Sequence, residues 1–157
     1  YDSSAKVLRL SDTVYDSTSV AAVGVAAHEC GHAIQDHESY VPLRLRHFLV
    51  PIVNFGNTLS MPLFFIGLLL GMYNTLVPIG IFLFSFAVLF QFVTLPVEFN
   101  ASSRAVAILG NSGMVMSEEL PKVKKVLRAA AYTYLAAAAA SALQLLRLLL
   151  IARRRRD

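Results

Sequence analysis

Charge vanishes from this chain twice in close succession, and that rhythm sets its plan. Phe48–Met72 contains no Asp, Glu, Lys or Arg, and Leu76–Leu95 repeats the pattern after the short polar turn Tyr73-Asn74-Thr75. A helix rises 1.5 Å per residue, so about 20 apolar residues cover roughly 30 Å of hydrocarbon. The two segments together predict a transmembrane hairpin. Asn54, Asn57, Thr58 and Ser60 in the first, with Pro51 and Pro62, predict a face turned to protein or water rather than lipid. Ala129–Ala152 predicts a third span as part of a long C-terminal helix, with Arg147 near enough to the basic end to reach the interface.

The polar parts read differently. Val20 to about His37 has a helical pattern rich in Ala and Gly, and Asp16-Ser17-Thr18-Ser19 ahead of it supplies N-cap residues. Ala21, Gly24 and Ala27 are small enough for a neighbouring helix to approach closely. Pro42 is expected to end or kink whatever continues. Lys6-Val7-Leu8-Arg9-Leu10 alternates as a half-buried strand does, which predicts one short N-terminal strand whose edge is available to an extended substrate. Pro96 suits a helix start, and Gly110-Asn111-Ser112-Gly113 should stop that helix after about Leu109. Ser117-Glu118-Glu119 reads as a cap with acidic residues in the first turn of the next helix. The fold class expected is mainly α: an integral membrane helical protein of one domain over residues 1–157, with spans at about 48–72, 76–95 and 129–152.

Composition agrees with that plan. The chain is 56% hydrophobic and 15% charged, against about 45–50% and 25% for a soluble domain. Its net charge of +4 is concentrated in Lys122, Lys124, Lys125 and Arg128 and in Arg153–Arg156. Both groups abut apolar segments, so they read as membrane-flanking charge and not as a nucleic-acid surface. Cys30 is the one cysteine, which excludes an intrachain disulfide. Tyr1–Asp16 has no apolar signal core, so any leading anchor lies upstream of Tyr1.

The candidate chemistry sits at His28-Glu29-Cys30-Gly31-His32, an H-E-x-x-H run. Residues four apart share a helix face, so His28 and His32 can offer imidazole nitrogens to one metal ion, with Glu29 beside it as a base acting on water. A catalytic zinc needs three protein ligands and one open position. The candidates for the third are Asp36, His37, Glu38, His47, Glu98, Glu118 and Glu119; Asp36 lies too far along the helix axis, His37 is turned away, Glu118 and Glu119 read as first-turn acids, and Glu98 stands out by its place in the chain. It is the first charge after the second span, on the side to which the hairpin returns the chain. The alternative reading of Glu98 is an acid at a helix N-terminus, paired with Arg104.

Val20–Gln35 and Glu98–Ala105, separated by a hydrophobic hairpin, resemble the YugP-type neutral zinc metallopeptidases of bacterial membranes. Tyr1-Asp2, Lys6–Ser11, Val14-Tyr15 and Lys124–Ala130 are similar to that family too, so the resemblance covers nearly the whole chain. It implies one catalytic Zn²⁺ held by His28, His32 and Glu98, Glu29 as general base, and residues upstream of Tyr1 that form a further anchor. In outline the arrangement is also similar to HtpX-like membrane peptidases, where the third ligand opens an E-x-x-x-D pattern. This chain has Ser102 in place of that Asp, so Ser102 or Asn100 is left to steady a ligand imidazole, and Arg104 to meet an oxyanion or form an ion pair. The function expected is a membrane-embedded zinc endopeptidase acting on polypeptides, unfolded or membrane-bound. The competing reading is a zinc-binding membrane protein, transporting or regulatory, without hydrolysis. The expected location is the bacterial inner membrane. Arg44, Arg46, Arg104, Lys122, Lys124, Lys125 and Arg128 outnumber the terminal arginines and favour a cytoplasmic active site.

Overall fold

The computed structural model describes residues 1–156, and the fold is helical almost throughout. After an N-terminal turn comes a one-turn helix α1 (Asp12–Tyr15), which packs on α2 (Val20–His37). Three long helices follow: α3 (Val41–Leu69), α4 (Leu76–Ser112) and α5 (Leu120–Arg156). All three are long and apolar enough to cross a membrane.

The ends of these helices follow from local chemistry. Ser19 caps α2, its side chain accepting the Ala22 N–H at 3.2 Å. At the other end the Tyr40 N–H bonds the Gln35 carbonyl and the Ser39 N–H bonds the Asp36 carbonyl, with Ser39 at φ 55°. That is the two-bond closure of a helix C-terminus, with serine in the left-handed position that glycine usually takes. Pro42 then sits in the first turn of α3, where its missing N–H is not needed. It neither ends nor kinks α2.

Three expectations are corrected here. The strand over Lys6–Leu10 does not form; among the described residues the β pairing is one isolated antiparallel bridge, Asp2 to Val7. The Asp2 carboxylate accepts the Ser4 and Ala5 N–H groups at 3.0 Å each, which curls the chain into a turn instead of extending it. Nor does Pro96 begin a helix. It lies inside α4, which continues to Ser112 and ends at Gly113 with φ 68°. Glu118 and Glu119 precede α5 instead of occupying its first turn, and Glu119 reaches back to accept the Met116 N–H at 3.0 Å.

The chain divides into two compact units. One comprises Tyr1–Arg44 and Leu95–Tyr134, and its core is Ala27, Ala105, Leu109, Val123 and Leu127. Here α2 presents a buried stripe, Gly24, Ala27, Gly31 and Gln35. A Cβ on Gly31 would lie 2.5 Å from the Ala101 carbonyl oxygen, so only glycine lets α2 cross α4 at this distance. Ala21, expected among these contacts, is exposed.

The other unit comprises Leu45–Thr94 and the stretch from Leu135, with Phe64, Val77 and Leu148 at its core. In it α3 and α4 pack as the expected hairpin through small residues: a Cβ on Gly80 would meet the Ser60 carbonyl oxygen at 2.7 Å. Phe55, Phe65, Phe82, Leu143 and Leu150 are more than half exposed on this unit's surface. Such an apolar exterior suits lipid, not water.

Candidate metal centre

The candidate centre lies wholly within the first unit, where α2 crosses α4. His28 and His32 follow one another on the same face of α2, their rings edge to face with centroids 4.7 Å apart. Glu98, one turn before the crossing point at Ala101, points its Oε2 at both: 3.1 Å from His28 Nε2 and 3.6 Å from His32 Nε2. One ligand atom from each of the three lies within 4.8 Å of the other two. Among the described residues this is the one such group of His, Cys, Asp and Glu side chains.

Each side chain is held by neighbours on the two helices. His28 Nδ1 lies 3.1 Å from Ser102 Oγ, and His32 Nδ1 lies 3.0 Å from Gln35 Oε1. Gln35 is wholly buried and donates from Nε2 to the Val97 carbonyl at 2.8 Å and to Asn100 Oδ1 at 2.9 Å. The Arg104 Nε donates to that same Asn100 oxygen at 2.8 Å, and its terminal nitrogen pairs with Glu38 at 2.6 Å. The Arg104 guanidinium, through this hydrogen bond and then its charge, holds the Glu38 carboxyl below its ordinary 4.5.

The donor set fits zinc. With both Nδ1 atoms engaged by α2 and α4 side chains, both Nε2 atoms converge on a carboxylate that is 2% exposed. One ligand atom from each of the three lies close enough to the others for a single divalent cation to be shared among them. Two imidazoles and one carboxylate are a donor set that would leave a coordination position open to substrate or water.

Around the centre, Glu29 is partly accessible, its side chain 25% exposed and its Oε2 against the Tyr1 backbone nitrogen. Asp36 accepts from the Tyr1 hydroxyl at 2.6 Å and the Lys6 ammonium at 2.5 Å. The first of these bonds, with partial burial and the Asp36 charge, pushes the Tyr1 phenol up to about 12. Cys30 is partly buried. His37 is exposed at the end of α2, and the Glu119 carboxylate is occupied at Met116.

Of the residues singled out in the sequence, His28, His32 and Glu98 are brought together, and Ser102 meets the His28 imidazole directly. Asn100 meets an imidazole only through Gln35. Arg104 pairs with Glu38, and Glu98 faces the histidines instead of forming the ion pair with Arg104 that was its alternative reading. Gln35 escaped the sequence reading. Its signal was there: a long polar side chain continuing a stripe of Gly and Ala at helical spacing.

These features define the class. The chain belongs to the family described as "putative neutral zinc metallopeptidase", which its residues 1–153 match. It is 53% identical over 137 residues to a protein of Bacillus subtilis named "Putative membrane protease YugP". The match takes in 87% of this chain and 60% of that relative, so the chain spans about three-fifths of the relative's length. No solved structure matches the chain.

Proposed function

We propose that this chain forms the catalytic part of a membrane-embedded, zinc-dependent endopeptidase. The observation that carries the reading is the convergence of His28 Nε2, His32 Nε2 and Glu98 Oε2 within 4.8 Å. Family membership supports zinc as the metal. In this reading one Zn²⁺ is held by His28, His32 and Glu98. When bound, it supplies Lewis acidity that polarises both the attacking water and the scissile carbonyl.

The chain's own groups do the rest. Glu29, next to His28 and one side of the ligand face, accepts a proton from the attacking water. The water oxygen bonds to the carbonyl carbon, the C–N bond breaks, and Glu29 returns the proton to the leaving amine. Ser102 and Gln35 hold the imidazole rings in the orientation that aims Nε2 at Glu98. Arg104 has two of its nitrogens committed to Asn100 and Glu38, so its role is to fix the α2–α4 crossing and not to meet an oxyanion.

The substrate class is polypeptide, unfolded or membrane-bound, and the setting is the bacterial inner membrane. α3 and the apolar part of α4 cross as a hairpin and α5 crosses a third time. The basic residues Arg44, Arg46, Arg104 and Lys122–Arg128 favour a cytoplasmic active site. The experiment is hydrolysis of a labelled unfolded protein by the zinc-loaded chain in detergent. Glu29→Gln should retain zinc and lose turnover by roughly 10²–10⁴-fold. Turnover retained in that variant removes Glu29 as the base. Zinc binding by the wild type without hydrolysis favours a transporting or regulatory metal site.

A further inference from the structure

We infer that Gln35 is the positioning residue of the metal centre, and that it dictates which nitrogen of His32 carries the proton. The inference rests on the zinc-peptidase reading above and concerns how one ligand is prepared for the metal.

A backbone carbonyl only accepts, so the Gln35 group 2.8 Å from the Val97 oxygen must be its NH₂. The same NH₂ donates to Asn100 Oδ1, and the identity of that atom is fixed in turn by Arg104, whose Nε can only donate. Gln35 therefore has its oxygen, an acceptor only, at 3.0 Å from His32 Nδ1. Nδ1 must carry the hydrogen. In the neutral ring the lone pair is then on Nε2, the atom that faces Glu98.

His28 is not governed in this way. Its Nδ1 partner is the Ser102 hydroxyl, which can donate or accept and so leaves the tautomer open. The two histidines differ: one is preset for metal, the other adapts. The preset one is locked by an amide with no exposed surface, joined through Asn100 and Arg104 to Glu38 at the protein surface. The site's geometry is thus tied to the closure of α2 on α4.

The test separates positioning from packing. Zinc dissociation constants and thermal midpoints are measured for the full chain in detergent as wild type, Gln35→Leu and Gln35→Glu. Both variants remove the donor to Val97 and Asn100, so both should melt earlier. Gln35→Leu also removes the acceptor for His32 and should bind zinc about 10- to 100-fold more weakly. Gln35→Glu keeps that acceptor and should hold zinc within a few-fold of wild type despite its lower midpoint. Zinc affinity unchanged in Gln35→Leu, or lost equally in both variants, overturns the assignment. Nitrogen-15 NMR of the zinc-free wild type needs no variant to fold: His32 should be the Nδ1–H tautomer, and an Nε2–H majority overturns the assignment. A wild type that binds no zinc sinks the zinc-peptidase reading itself, and the Gln35 assignment with it. Wild-type binding with an unaffected Gln35→Leu sinks the assignment alone.

Discussion

Glu98 Oε2 stands 3.1 Å from His28 Nε2 although 70 residues separate them. All of α3 and the apolar part of α4 intervene, both long and apolar enough to cross a membrane. The partners meet because α2 and α4 cross with almost no side chain between them, at Gly31 and Ala101. The convergence of His28, His32 and Glu98 therefore depends on a packing distance as well as on residue type.

Gly31→Ala tests that dependence. The added methyl meets backbone, which cannot rotate away, so the helices must separate. A destabilisation of about 1–3 kcal/mol is expected from such overpacking, together with weakened zinc binding. Gly24→Ala meets only the Val123 side chain, at 3.2 Å, and should be milder on both counts. Thermal midpoints and zinc titrations of the two variants check this; equal effects would remove the special role of the Gly31 crossing.

Ser102→Ala removes the hydrogen-bond partner of His28 Nδ1. Zinc affinity should fall by about tenfold, the lower end for lost partners of ligand histidines. Ser102→Asp should match or exceed the wild type, since a carboxylate there accepts more strongly. Competition with a chelator of known affinity reads both.

The Glu38–Arg104 pair predicts a pH dependence of stability. Its carboxyl titrates below the ordinary 4.5 in the folded chain, so the contribution is fully present above that value and fades as pH falls through the lowered one. The pair is exposed, so the effect is small. Thermal midpoints of wild type and Glu38→Gln should differ at neutral pH and converge in strong acid. A difference that persists there assigns the effect to packing.

Much of this was legible in the sequence because its causes are local. Ser19 caps α2, charge-free runs mark α3 and α4, and four-residue spacing puts His28 and His32 on one face. What was illegible depends on which helices touch. Lys6–Leu10 alternates like a strand, but Asp2 draws the neighbouring chain into a turn and offers only an isolated bridge at Val7. Pro96 looks like a beginning, yet α4 runs through it. Gln35 reads as an ordinary helix residue until the Val97 carbonyl and Asn100 are found opposite it.

Zinc content is the most direct test of the proposed centre of His28, His32 and Glu98. Wild type and Glu98→Gln are purified under identical conditions, loaded with zinc, dialysed and analysed for metal per chain. One zinc per wild-type chain and little in the variant is the expected result, with both proteins equally folded. Equal zinc in the two proteins would contradict Glu98 as the ligand that completes the site.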